Sequence, residues 1–152
     1  MTGAAVPRVA VVVLNWNGLQ LTRACVRSLR AQTAPAGAIV VVDNGSANGE
    51  AAALAREFGN AIEVLALPHN LGFAGGCNAA FERLLAGNGP DFVALLNNDA
   101  EAEPRWLEEL LAADALLRNA LGRAFPRLLQ RGPHRRDAAD RDATDRDATV
   151  GP

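Results

Sequence analysis

Residues 38–46 read AIVVVDNGS: five apolar residues, then an aspartate, an asparagine and a glycine-serine turn. A run apolar at every position suits a strand buried on both faces, as in a parallel sheet. Three more runs are near-continuously apolar in the same way, Val9 to Leu14 before it and Ile62 to Leu67, broken only by Glu63, and Phe92 to Leu96 after it. Helical patterns separate them: Leu21, Cys25 and Leu29; Leu54 and Phe58; Phe81, Leu84 and Leu85; then Leu107, Leu110 and Leu111. Spacings of three and four put each set on one helix face. The order β-α-β-α-β-α-β-α predicts an α/β domain, its mostly parallel sheet covered by helices on both faces. Ser46 is expected to N-cap the second helix. Pro104 is expected in the first turn of the fourth, with Glu101 and Glu103 near the positive end of its dipole.

With 152 residues, 49% of them hydrophobic, the chain suits one domain with a sizeable core. Its net charge of −2 gives no broad basic field, so nucleic acid is not an expected partner. All 15 basic residues are arginine, which excludes chemistry that needs a lysine, such as a P-loop clamp or a Schiff base. Cys25 and Cys77 have no metal-ligand spacing and are expected to be reduced, part-buried thiols. No run approaches the roughly 20 apolar residues of a membrane span, and Met1 to Pro7 lacks a charged leader region. The expected location is the cytoplasm, with any membrane contact peripheral and at the inner face.

Beyond about Arg118 no strand-like run remains. Arg136 to Val150 repeat RDAAD, RDATD and RDATV, a five-residue pattern without an apolar face. Such a segment cannot bury enough surface to offset its ordering entropy. The expected division is therefore a folded part at 1–118, a remnant of the fold at 119–132 that includes AFPRLLQRG, and a disordered tail at 133–152. A truncated or frameshifted reading of GC-rich DNA is the expected origin of the tail.

In open parallel α/β sheets, ligands bind at the carboxyl ends of the strands. Here those ends read Asn15-Trp16-Asn17-Gly18, Asp43-Asn44-Gly45-Ser46, Pro68-His69-Asn70 and Asn97-Asn98-Asp99. Each is an ordinary turn or cap when taken alone. Together they place Asp43 and Asp99 directly after apolar strands, and they set the glycines of Asn70 to Asn78 ahead of a helix start. Gly75 and Gly76 are expected to let backbone approach a ligand, with the following helix offering N–H groups to a phosphate. A dinucleotide-binding fold would carry G-x-G-x-x-G after its first strand, where this chain has NWNG. A receiver domain would carry paired acids there.

In that order, VVVLNWNG (Val11 to Gly18), VVVDNGS (Val40 to Ser46), NLGFAGGCNAA (Asn70 to Ala80) and LLNNDA (Leu95 to Ala100) resemble the family 2 glycosyltransferases, especially their rhamnosyltransferase-like branch. The resemblance covers roughly Val9 to Leu111. It implies a GT-A (nucleotide-diphospho-sugar transferase) fold, Rossmann-like and three-layered, here truncated to the N-terminal, donor-binding part. It also implies a metal-dependent hexosyltransferase of cell-surface polysaccharide biosynthesis. A UDP- or dTDP-sugar would be the donor and a glycan or lipid-linked molecule the acceptor.

The same resemblance implies the site. Asp43 would accept a hydrogen bond from the pyrimidine ring N–H. Asn15 and Asn17 would lie beside the nucleoside. The loop with Asn70, Gly72, Gly75, Gly76 and Asn78 would close over it, and Asn98 would join the nucleotide-sugar contacts. Asp99 would hold Mg²⁺ or Mn²⁺, which takes one or two protein carboxylates and fills its shell with water and phosphate oxygens. Transfer would invert the anomeric centre: the cation stabilises the departing diphosphate while a carboxylate base takes the acceptor proton. In the family that base lies on a later segment; Asp114 and Asp137 to Asp147 lack its setting, so no catalytic base is assigned. Trp16 reads as a wedge in the local core, ahead of the alternative that it stacks on the base, and His69 as a turn residue.

Two other readings stay open at this point. One is an inert nucleotide-binding fragment or half of a split enzyme. The other is a sugar nucleotidyltransferase, which would want a basic, glycine-rich triphosphate loop near the N-terminus; only Arg8 precedes the first strand.

Overall fold

In the computed structural model, which describes residues 7–124 and their side chains to 119, the four expected strands and four helices alternate along the chain. The strands are β1 (Val9–Asn15), β2 (Ala38–Asp43), β3 (Glu63–Ala66) and β4 (Phe92–Asn97). The helices are α1 (Leu19–Arg30), α2 (Glu50–Phe58), α3 (Gly72–Leu85) and α4 (Trp106–Ala124). Residues 125–152, with the Arg/Asp repeat and most of the proposed remnant, lie outside the described residues, as do residues 1–6.

All strand pairs are parallel, in the order β3-β2-β1-β4. This order decides burial. Central β1 and β2 have both faces covered: Val11, Val13 and Val41 face one side, and Val12, Val40 and Val42 the other. The edge strands depart from the expected burial on both faces. Most of β3 and β4 is only half-buried, and Leu95 of β4 is 44% exposed. An edge position removes one flanking strand and much of the helix cover.

Cys25, Val26 and Leu29 of α1, Leu54 and Phe58 of α2, and Leu107 of α4 pack on the first sheet face. Ala80 and Leu84 of α3 pack on the second. The result is three layers. Glu57 of α2 accepts from Arg27 and Arg23 of α1, which lowers its carboxyl pKa, the Arg27 bond most of all.

Two local expectations are corrected. The buried stripe of α1 is Thr22, Cys25, Val26 and Leu29, while Leu21 is 53% exposed. The polar residue faces inward because its hydroxyl has buried partners. At α2, Gly49 in the left-handed region, not Ser46, precedes the first helical residue, and the Ser46 hydroxyl bonds elsewhere.

The first compact unit ends at Leu111. From Ala112 the second unit continues α4 to Ala124, with an Asp114–Arg118 pair one turn apart at 2.6 Å. No helix among the described residues is long and apolar enough to cross a membrane.

Candidate nucleotide-binding site

The strand order reverses between β1 and β4, because β2 and β3 lie to one side of β1 and β4 to the other. In open parallel sheets such a reversal opens a crevice at the strand carboxyl ends. Register gathers the sequence-predicted residues there. Asn15 pairs with Asp43 across β1 and β2, Leu14 with Asn97 across β1 and β4, and Asp43 with Ala66 across β2 and β3. Asp43 and the Asn97-Asn98-Asp99 turn thus share one rim, their strands two inter-strand spacings, or about 10 Å, apart.

Asn15 is fully buried at the centre of this rim. Its Nδ2 donates toward Asp43 Oδ1 (2.8 Å), Glu50 Oε2 (2.9 Å) and Ser46 Oγ (3.1 Å). Its Oδ1 accepts from Thr22 Oγ1 at 2.6 Å. Asn98 Nδ2 in turn donates to Thr22 Oγ1 at 3.0 Å. A continuous hydrogen-bonded chain therefore runs from Asp43 through Asn15 and Thr22 to Asn98, the residue before Asp99.

Asn17 adopts φ 51°, a conformation that asparagine tolerates better than most residues. Its backbone N–H donates to Ser46 Oγ (2.9 Å), and its side chain accepts from Ala47 N (2.8 Å). The Gly18 N–H donates to Glu50 Oε2 at 3.1 Å. These bonds fasten the β1–α1 turn to the β2–α2 turn.

Asn44, also buried, organises the next wall. Its Oδ1 accepts from Leu71 N (2.9 Å), and its Nδ2 donates to Asn70 Oδ1 (2.9 Å) and Gly72 O (3.1 Å). Asn70 Oδ1 also accepts from the Gly72 N–H at 2.7 Å, closing a turn onto the start of α3.

The glycines differ from their expected setting. Gly72, Gly75 and Gly76 lie inside α3, not in a loop ahead of it. A Cβ on Gly76 would meet Leu14 Cδ1 and the Asn44 amide, and one on Gly75 would meet Leu71 Cβ at 2.6 Å. The smallness of Gly76 lets α3 sit close to β1 and to the Asn44 side chain. Asn78, further along α3, is exposed. Trp16 is 57% exposed, so it is not the expected core wedge. Asn98 is half-buried, with its amide committed to Thr22.

Asp99 is exposed in the turn after β4 and makes no hydrogen bond or ion pair among the described residues. No cluster of three or more His, Cys, Asp or Glu side chains suited to a metal occurs among those residues. A lone carboxylate on an open rim fits a hard divalent cation that takes its other oxygens from a diphosphate and water. It would not fit a cation held by protein alone. Beneath the turn, Cys25 Sγ donates to Asn97 O at 3.6 Å. Burial raises this thiol's pKa to about 11, with further contributions from the charges of Asp99 and Glu101.

Thr22, Asn44, Ser46 and Glu50 are the site residues that the sequence reading did not single out. Asn44 and Ser46 stood in the quoted strand end but looked like a turn former and a helix cap, and Thr22 and Glu50 lie on helices with no motif around them.

A cleft of about 240 Å³ also opens at the opposite, amino ends of the strands, lined by Arg8, Glu63 and Arg83 among others. Its arginines are engaged, Arg83 with Glu63 and Arg8 with Asp91.

Known structures share this fold. S. aureus TarS matches with a TM-score of 0.57 and 24% identity, over 69% of this chain and 19% of that one. A TarS structure in complex with UDP-GlcNAc matches at 0.55 and 24%, over 74% and 31%. The mannosyltransferase PcManGT from Pyrobaculum calidifontis, in complex with GDP-Man and Mn²⁺, matches at 0.51 and 26%, over 62% and 28%. This chain thus spans about a fifth to a third of the length of these structures. No curated protein sequence matches. The profile of glycosyl transferase family 2 covers residues 10–123, which takes in β1 from its second residue, the other three strands and all four polar ends. With the parallel sheet, the crevice and the GT-A neighbours in agreement, the chain belongs to glycosyl transferase family 2.

Proposed function

We propose that residues 1–118 form the nucleotide-sugar-binding half of an inverting glycosyltransferase that uses a UDP- or dTDP-sugar and a glycan or lipid-linked acceptor. The observation that carries this reading is the shared rim: Asp43 and the turn bearing Asp99 flank Asn15 and are joined through it. Complexes of the structural neighbours with UDP-GlcNAc, or with GDP-Man and Mn²⁺, support a nucleoside-diphosphate sugar as the ligand class. The work is proposed to take place in the cytoplasm, at the inner face of the membrane, in the making of cell-surface polysaccharide.

Asp43 accepts the ring N–H of the pyrimidine, its carboxylate held by the Asn15 amide. Asn17 holds the β2–α2 turn beside the nucleoside. The start of α3, from Gly72 through Gly75 and Gly76 to Asn78, faces the donor with Asn70 and offers first-turn N–H groups to phosphate. Asp99 supplies the protein carboxylate for Mg²⁺ or Mn²⁺. When bound, that cation neutralises charge on the departing diphosphate. No described carboxylate is assigned as the base for the acceptor hydroxyl.

The test is calorimetric titration with UDP and dTDP. Tighter binding with Mn²⁺ is expected in the wild type, and Asp99→Ala should remove the enhancement. Equal affinity with and without metal would refute the reading. A second reading is an inert nucleotide binder or half of a split enzyme. Metal-dependent release of free nucleoside diphosphate in the presence of acceptor extract would exclude it.

A further inference from the structure

The buried chain at the rim has only one consistent orientation. The Asn15 amide nitrogen faces Asp43, Glu50 and Ser46, two of which are carboxylates that offer only acceptors. Its NH₂ group must therefore point that way, which turns its carbonyl oxygen to Thr22. Thr22 has a single hydroxyl proton and spends it on that oxygen. Its lone pair is then what the Asn98 NH₂ group meets, so the Asn98 carbonyl oxygen turns away from Thr22. Three side chains on β1, α1 and the turn after β4 are thus ordered in sequence by two carboxylates at one end. Packing around the middle link is close: a Cβ on Gly18 would fall 2.6 Å from Asn98 Nδ2.

We propose that Thr22 is a positioning residue whose hydroxyl fixes the amide orientations of Asn15 and Asn98 and so couples the Asp43 wall to the turn bearing Asp99. Its consequence for ligands rests on the nucleotide-sugar reading above; the ordered chain itself stands on the geometry. Without the hydroxyl, Asn15 loses the donor that holds its carbonyl, and Asn98 loses the acceptor that holds its amide. Recognition of the base and grip on a cation would then loosen together, although Thr22 touches neither. In energetic terms this is a coupling between two sub-sites, carried by a contiguous set of hydrogen bonds.

The experiment titrates uridine without metal, and UDP with and without Mn²⁺, into wild type, Thr22→Ser and Thr22→Val. The serine variant keeps the hydroxyl and should stay within about twofold of wild type in both measurements. The valine variant should bind metal-free uridine about fivefold more weakly and lose about threefold of the Mn²⁺ enhancement for UDP. A valine variant with a lowered melting temperature but unchanged affinity and enhancement has lost only a structural bond, and overturns the proposal. Should that variant not fold, Asn98→Ala takes its place. Removing the far link should weaken metal-free uridine binding about threefold, and unchanged binding would overturn the proposal. If wild type binds neither ligand, the nucleotide reading fails separately, and the ligand-free protein still decides. The side-chain amide resonances of Asn98 should shift in Asp43→Asn when Thr22 is present and stay put in the Thr22→Val background. No shift with Thr22, or a shift that persists without it, refutes the coupling.

Discussion

Asn15 and Asp43 are register partners at the ends of neighbouring parallel strands, and the amide of one donates to the carboxylate of the other at 2.8 Å. Both are buried, Asp43 to 4% exposure, at the rim where a ligand is expected. A buried polar pair is costly unless every group is satisfied, and here no buried side-chain nitrogen or oxygen among the described residues lacks a partner. The aspartate is consequently held in one pose before any ligand arrives. Such preorganisation lowers the ordering cost of recognition.

Changing Asn15 should reveal how much the rim depends on this donor. Asn15→Asp keeps the shape and replaces an NH₂ group with an oxygen facing Asp43 and Glu50. We expect a loss of about 3 kcal/mol at neutral pH, from like charges brought together in a buried place. The introduced carboxyl should have a raised pKa, so the deficit is small in acid, grows as pH rises from the ordinary carboxylate value toward the raised one, and is constant above it. Urea melts at about pH 4 and about pH 7 check this; an equal deficit at both would refute it.

Asp43→Asn tests base reading with little change of shape. The amide oxygen can still accept from Asn15, but the amide nitrogen now offers a donor where the uracil ring also carries one. Affinity for UDP should fall about tenfold, whereas CDP, whose ring nitrogen accepts, should lose less or gain. Parallel titrations of the two nucleotides give the ratio. A ratio unchanged from wild type would remove Asp43 from base recognition.

The fold was legible in the sequence because parallel strands carry unbroken apolar runs; Val11 to Val13 and Val40 to Val42 are buried where their pattern placed them. The rim was legible for the related reason that polar residues ending such runs must lie at the sheet edge. What pattern could not reveal was the polar interior of the rim. Periodicity favoured Leu21 over Thr22 as the inward residue of α1, since an apolar side chain is the cheaper one to bury. Thr22 is buried because Asn15 and Asn98 satisfy it, and neither partner is visible within helical spacing. Ser46 was misplaced as a cap for the same reason: its hydroxyl serves the Asn17 N–H across the rim. The glycines of α3 looked like a loop because glycine is usual in turns, whereas Gly76 is small to admit Leu14 and Asn44.

Two glycines with positive φ should respond very differently to alanine. At Gly45, with φ 72°, an added Cβ would fall 2.6 Å from His69 Cα and 2.7 Å from Asn70 N, which are backbone atoms that cannot swing aside. At Gly49, in the left-handed region with φ 69°, the same atom meets open space. Gly49→Ala should cost about 1 kcal/mol from backbone strain alone. Gly45→Ala should cost about 3 kcal/mol or more, because the β2–α2 turn and the Asn70 segment must separate. Thermal melts of both variants order the two costs, and similar losses would show that the two turns do not press on each other.

Cys25 supplies a pH signature. Its pKa of about 11 in the folded chain exceeds the ordinary thiol value of 9.0, because burial disfavours the thiolate and the charges of Asp99 and Glu101 add to the effect. Below pH 9.0 the thiol is protonated in both folded and unfolded chains and its contribution to stability is constant. As pH rises from 9.0 toward about 11, only the unfolded chain ionises, so stability should fall across that window. Cys25→Ala should be less stable at neutral pH, from lost packing, yet show a shallower decline in alkali. Cys77, also buried, has its thiol pKa raised by burial, so neither thiol should react with an aromatic disulfide reagent at about pH 8 until denaturant is added. Rapid modification of Cys25 in the folded chain, or an alkaline decline as steep without it, would mean that the Cys25 side chain reaches water beneath the Asn97–Asp99 turn.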